Sequence, residues 1–137
     1  MSALKPLSPA DVSRRLAKGK ITLVDVRERR EYASEHIAGA LSMPLSDLRS
    51  GRKQIADGQP VVFHCKSGMR TQMHCDDLAA KVTGKAYVLE GGLRGWKQAG
   101  LPVEYGHVAG LGLRPLFLVG AAAMVTLGLI TLLTRAG

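Results

Sequence analysis

Val61-Val62-Phe63-His64-Cys65-Lys66-Ser67-Gly68-Met69-Arg70 sets the reading of this chain. Val61 to His64 is a short apolar run preceded by Gly58-Gln59-Pro60, the pattern of a buried strand. Residues 71–81 are helical by composition, with Met73, Leu78 and Ala79 as inward positions. Cys65 to Arg70 therefore joins the carboxyl end of a strand to the amino end of a helix. Wrapped around a cysteine sulfur, such a turn points successive backbone N–H groups inward and makes an anion-binding nest. Gly68 permits the backbone conformation required. The helix adds its positive end, and Lys66 and Arg70 add full charges. All these contributions favour a negative charge at Cys65, the thiolate that a nucleophile needs. The same nest can hold the oxygens of an anion whose sulfur Cys65 attacks. The bland reading, a buried strand-end cysteine beside an ordinary turn, gives the two adjacent cations no role.

Working outward, the pattern is one of strands alternating with helices. Ser8-Pro9-Ala10-Asp11 is a helix start, with Ser8 as cap, Pro9 in the first turn and Asp11 at the positive end. Val12 and Leu16 share a face, and Gly19 offers the stop. Ile21 to Val26 reads as a buried strand, 27–34 as a charged helical turn, and 41–43 as a brief strand closed by Pro44. A weak helix over 45–50, a strand over 86–89 and a short helix over 93–99 complete the domain. This alternation predicts an α/β fold with an open, mostly parallel sheet flanked by helices. In such sheets ligands bind outside the carboxyl ends of the strands, where Cys65 falls.

The composition divides the chain. Every acidic residue lies at or before Glu104, whereas 115–134 carries no charge. We therefore expect a domain over 1–103, a glycine-containing flexible linker over 104–114, one C-terminal transmembrane helix over 115–134 and a short tail over 135–137. A stretch of this length just suffices to cross about 30 Å of hydrocarbon. The formal net charge is +8, and only Arg114 and Arg135 of the basic residues lie beyond Leu113, so the excess sits on the domain. Without a basic stripe, interleaved aromatics or a binding motif, the charge does not predict a nucleic-acid partner. It suits an anionic lipid surface or a small anionic substrate. Residues 1–20 contain no secretory apolar region, so the expected topology is single-pass in a prokaryotic inner membrane, with the domain on the cytoplasmic side. A reducing compartment follows, and with it no presumed disulfide between Cys65 and Cys75. Gly120, Ala121 and Gly128 could face a second copy in a homodimer, although their spacing is not the small-xxx-small pattern.

The loop resembles the active-site loop of the rhodanese family, and the resemblance extends to both sides of it. Leu23-Val24-Asp25-Val26-Arg27-Glu28 is similar to the family's first signature, and Glu35-His36-Ile37-Ala38-Gly39-Ala40 with Pro44 to its second. Leu89-Glu90-Gly91-Gly92-Leu93-Arg94-Gly95-Trp96 with Ala99-Gly100-Leu101-Pro102-Val103 resembles its C-terminal signature. The resemblance implies a thiosulfate-type sulfurtransferase. Cys65 would be the persulfide-forming catalytic residue, with Lys66, Ser67, Gly68, Met69 and Arg70 lining the substrate-binding loop. The Cys65 thiolate would attack the outer sulfur of thiosulfate, release sulfite and pass the sulfur to a thiol or cyanide acceptor. The intermediate is a covalent cysteine persulfide, so no separate cofactor is implied. The outer signatures, including Asp25, Arg27, Gly91 and Gly92, chiefly shape the fold and the loop. Met69, where many relatives carry a polar residue, leaves substrate preference open.

Other readings compete. Relatives with this fold perform phosphatase or arsenate reductase chemistry, but they wrap the tetrahedral anion with five residues, whereas four lie between Cys65 and Arg70. A sulfur or redox carrier without turnover uses the same reactive thiolate. Cys75 reads as a packing residue on the buried face of the helix, since free cysteine behaves as a small hydrophobe. A resolving thiol is its alternative role. His64, Cys65, His74 and Cys75 have no recognised ligand spacing, so no metal site is expected. Trp96 reads as a core or rim aromatic.

Overall fold

In the computed structural model, residues 4–106 are described. The chain runs β1 (Lys5–Leu7), α1 (Pro9–Ala17), β2 (Thr22–Asp25), α2 (Arg29–Ser34), β3 (Glu35–His36), β4 (Leu41–Ser42) and α3 (Leu45–Ser50). It continues through β5 (Val61–His64), α4 (Met69–Met73), α5 (Cys75–Ala79), β6 (Ala86–Leu89), α6 (Gly92–Gln98) and β7 (Glu104–Tyr105). Five strands form one parallel sheet in the order β1-β6-β5-β2-β4. β5 is therefore central, covered on both faces, and all four of its residues are buried. That two-sided burial is why its sequence is nearly continuous in apolar residues instead of alternating.

Successive strand residues face opposite sides of the sheet and divide the core in two. Leu23, Val62 and Leu89 pack with Val12 of α1 and Leu93 and Trp96 of α6 on one side. Val24, Val61 and Phe63 pack with Leu48 of α3 and Leu78 of α5 on the other. The Trp96 indole N–H donates to the Pro102 carbonyl at 2.8 Å, so its polar atom is satisfied within the core. The Ser8 hydroxyl accepts the Asp11 N–H at 3.1 Å and caps α1.

The fold class expected from sequence needs correction. The α/β sheet is present, but no transmembrane helix occurs among the described residues. No helix among the described residues is long and apolar enough to cross a membrane, because the helices of a small α/β domain need only match short strands. The segment 115–134, on which that expectation was placed, lies outside the described residues, as do 107–114 and 135–137. Glu104–Tyr105, read as the start of the linker, pair antiparallel with Glu35–His36.

The helix expected over 71–81 is two short ones. α4 ends at Met73 and α5 opens at Cys75, with His74 between them at φ −118° and ψ 24°. The inward residues are Thr71 and Leu78, while Met73 is 72% exposed. Met73 lies two positions from Thr71, on the far side of a helical turn, so its hydrophobicity could not place it in the core.

Candidate functional site

Cys65 follows β5 directly, at the carboxyl edge of the central strand. Its Sγ accepts the backbone N–H of Gly68 at 3.1 Å. Gly68 has φ +99°, a left-handed conformation that brings this N–H around towards the sulfur. The Thr71 hydroxyl donates to the Gly68 carbonyl at 2.9 Å and lies 3.8 Å from Sγ. Either the sulfur or Thr71 Oγ1 can be the donor across that gap. Cys65 is only 1% exposed. An attacking or departing sulfur species therefore needs the turn over it to shift.

The turn is held from behind by α6. The N–H of Leu93 donates to the Cys65 carbonyl at 2.8 Å, and that of Arg94 to the Lys66 carbonyl at 2.9 Å. This contact explains Gly92. A Cβ on Gly92 would lie 2.5 Å from the Cys65 carbonyl oxygen and 2.9 Å from the Lys66 carbonyl, and its φ is +59°. The first turn of α6 can approach the loop backbone this closely only where there is no side chain.

Beneath the loop lies a buried ionic cluster. Asp25, at the end of β2, accepts bonds of 2.9–3.2 Å from the Arg27 guanidinium, and Arg27 also donates to the Glu35 carbonyl at 2.7 Å. His64 is opposite Asp25 in the β2–β5 register. Its Nδ1 is 3.1 Å from the Cys65 carbonyl, and its Nε2 is 3.4 Å from Asp25 without a hydrogen bond. Burial pushes the His64 pKa down, which favours the neutral imidazole. The cluster ties both strand ends to the loop. Its charges are satisfied within the protein, as charges buried to this depth must be.

Of the two cations expected beside Cys65, Arg70 is already engaged. Its guanidinium makes two 2.8 Å bonds to the Glu31 carboxylate of α2. Lys66 is exposed and has no carboxylate partner among the described residues. Ser67 and Gly68 are half-buried, and Met69 is 66% exposed. The five-residue α4 contributes a weaker dipole than the long helix expected from sequence. The residues that the sequence reading passed over are Glu31 and Thr71. Glu31 carried one legible signal, the spacing Glu28-Arg29-Arg30-Glu31, which forms a capping box at the start of α2.

Arg70 holds the Glu31 carboxyl at a pKa of about 2, below the ordinary 4.5. An acid with a depressed folded-state value stabilises the fold above its ordinary value and loses that contribution as pH falls through the folded one. Glu31→Gln should therefore lower the urea midpoint most above about pH 4.5, with the difference from the parent shrinking towards pH 2. Urea titrations of both chains across that range measure it. A difference equally large at pH 2 and pH 6 would show that the Glu31 charge is not its source.

Cys75 is half-buried at the start of α5 and not in the core. It lines a cavity of about 430 Å³ with Ser67, Gly68, Met69 and Gln72. Cys75→Ser should leave turnover within about twofold of the parent and cost about 1 kcal/mol or less. Steady-state rates and a urea titration check both values. Among the described residues, no group of three or more His, Cys, Asp or Glu side chains is placed to hold a metal ion.

This loop, on this sheet, defines a rhodanese-like domain, and comparison with known proteins identifies the family. The Rhodanese-like domain family matches residues 8–99, and the chain belongs to that family. It is 38% identical over 96 residues to an uncharacterized protein of Synechocystis, covering 70% of this chain and 54% of that one. It is 29% identical over 93 residues to the thiosulfate sulfurtransferase GlpE of Coxiella burnetii, covering 68% of this chain and 87% of GlpE. Among solved structures, it is similar to a rhodanese-related protein from Thermoplasma volcanium. That match has a TM-score of 0.64 at 26% identity and covers 73% of this chain and 97% of the other. The chain spans about half the length of several curated relatives it matches.

Proposed function

We propose that the chain is a sulfurtransferase that takes sulfane sulfur from thiosulfate or a similar small anionic donor onto Cys65 and delivers it to a thiophilic acceptor. The observation that carries this reading is the Cys65 turn, with Sγ bonded to the Gly68 N–H at the carboxyl edge of the central strand. In the first half-reaction, the Cys65 thiolate attacks the outer sulfur of thiosulfate. An S–S bond forms to Cys65, the bond to the sulfonate sulfur breaks, and sulfite leaves with that electron pair. In the second, the acceptor thiolate attacks the outer sulfur of the persulfide, and Cys65 leaves as thiolate. Sulfur moves at constant oxidation level, so neither half-reaction needs an external oxidant or reductant. Lys66 is the loop cation available to a donor oxygen, since Arg70 is held by Glu31. The name of the Coxiella relative supports the same chemistry. The ring of four residues between Cys65 and Arg70 favours sulfur over a tetrahedral phosphate.

Two half-reactions on one nucleophile give ping-pong kinetics. Initial rates with thiosulfate and cyanide varied together should yield parallel double-reciprocal lines. Intersecting lines would mean that donor and acceptor bind together, and would contradict a free persulfide form of the chain.

A further inference from the structure

The charges of the domain are segregated between the two edges of its parallel sheet. The carboxyl edge mixes both signs: Lys66, Arg70 and Arg94 lie there with Glu28, Glu31 and Glu90. The amino edge is basic. Lys5 opens β1, Lys18 and Lys20 lead from α1 into β2, and Lys81 and Lys85 lead from α5 into β6. Backbone bonds hold these approaches side by side. The Thr22 N–H donates to the Pro60 carbonyl at 2.9 Å, and the Val61 N–H to the Lys85 carbonyl at 3.0 Å. The Arg15 guanidinium lies 5.8 Å from the centre of the Tyr87 ring, and Tyr87 is the register partner of Lys5. That contact ties the end of α1 to the β1–β6 side of the same edge. All five lysines are exposed, and none has a carboxylate partner among the described residues. The one carboxylate among the described residues of this edge is Asp57, which accepts the Thr83 hydroxyl at 2.7 Å.

We infer that this amino edge is a docking surface for the face of an anionic lipid bilayer. Lysine is a compact, hydrated point charge without the fixed fork of arginine, and it suits a diffuse negative surface better than a single clamped phosphate. A nucleic acid fits less well. Among the described residues of this edge no exposed aromatic accompanies the lysines. Tyr87 is half-buried under Arg15, so no platform is offered to a base. β5 is four residues long, which sets the two edges about 13 Å apart. Attraction to headgroups decays within a Debye length of about 8 Å at physiological ionic strength. The domain therefore docks by its amino edge, with the Cys65 loop facing away from the bilayer. The inference concerns a surface remote from that loop and stands whether or not the chain transfers sulfur.

Acetylation of the full chain with and without vesicles, read lysine by lysine by peptide mass, tests this surface. With vesicles of phosphatidylglycerol and phosphatidylcholine at low salt, labelling of Lys5, Lys18, Lys20, Lys81 and Lys85 should slow by about fivefold or more. Lys66 and Lys97, which line the cleft beside the Cys65 loop, should label at their free rate. Protection should be lost with phosphatidylcholine alone and in about 0.5 M salt. Contact at each lysine is the readout, so attachment of the chain to a vesicle by any other route does not imitate the result. The triple variant Lys18→Glu, Lys20→Glu, Lys85→Glu should lose protection at Lys5 and Lys81. Three results would overturn the assignment: labelling unaffected by anionic vesicles, equal protection of Lys66 and Lys97, or protection that persists on phosphatidylcholine or in the variant. A DNA duplex that protects the five lysines as strongly as the vesicles at equal phosphate concentration would overturn it too, in favour of a nucleic-acid partner.

Discussion

Replacing Cys65 with serine should reduce sulfur transfer to the uncatalysed level, a loss of about 10⁴-fold or more, while the domain stays folded. A hydroxyl cannot carry sulfane sulfur, so neither half-reaction has an intermediate. The fold should survive because an Oγ at this position retains the surroundings of Sγ. The Gly68 N–H still has an acceptor, and Thr71 Oγ1 still faces it. The stability cost should therefore be about 1 kcal/mol. Thiosulfate-to-cyanide turnover and a urea titration of the same preparation separate the two effects. An inactive Cys65→Ser chain that is also unfolded would leave the chemistry unassigned to Cys65. An active one would move the sulfur-carrying role elsewhere, with Cys75 the remaining thiol.

The second large effect should come from a residue with no reactive group. Gly92→Ala places a Cβ 2.5 Å from the Cys65 carbonyl oxygen, on a backbone with φ +59°. The left-handed conformation alone costs an L-residue about 1–2 kcal/mol. The contact adds to it, because backbone atoms, not a flexible side chain, would have to move. We expect a total near 3 kcal/mol and a loss of activity of about 100-fold, since a small misplacement of the loop misaims the nucleophile. Gly100 supplies the control. Its φ is +77°, but a Cβ there meets nothing within 4 Å. Gly100→Ala should therefore show the conformational cost with activity intact. Equal destabilisation and equal activity in the two variants would mean that the α6–loop contact does not position Cys65.

The elements most legible in the sequence are the strands paired on both edges. β2, β5 and β6 are short apolar runs with turn residues before them, and the strand-to-helix turn at Cys65 needed only its cysteine, glycine and cations to be noticed. β1 was not legible. Lys5-Pro6-Leu7 is an edge strand paired only with β6, where a proline is tolerated and little apolar sequence is required. The two-residue strands β3 and β7 are too short to have a period, and their pairing depends on residues about 70 apart being brought together. A separation of 39 residues hides Glu31 as well. Nothing local indicates that its carboxylate meets Arg70 and leaves Lys66 as the free cation of the loop. The burial of Cys65 was also hidden, because the sequence placed it at a strand end without showing how tightly α6 and Thr71 close around it.

The central claim is that Cys65 carries sulfur covalently, and intact mass spectrometry of the full chain tests it most directly. After exposure to thiosulfate and removal of excess donor, the chain should be heavier by one sulfur atom. Peptide mapping should place that atom on Cys65, and cyanide or thiol should remove it. The Cys65→Ser chain should gain nothing, and Cys75→Ser should behave as the parent. An unchanged mass in the parent chain, or an added sulfur that maps to Cys75, would contradict the account.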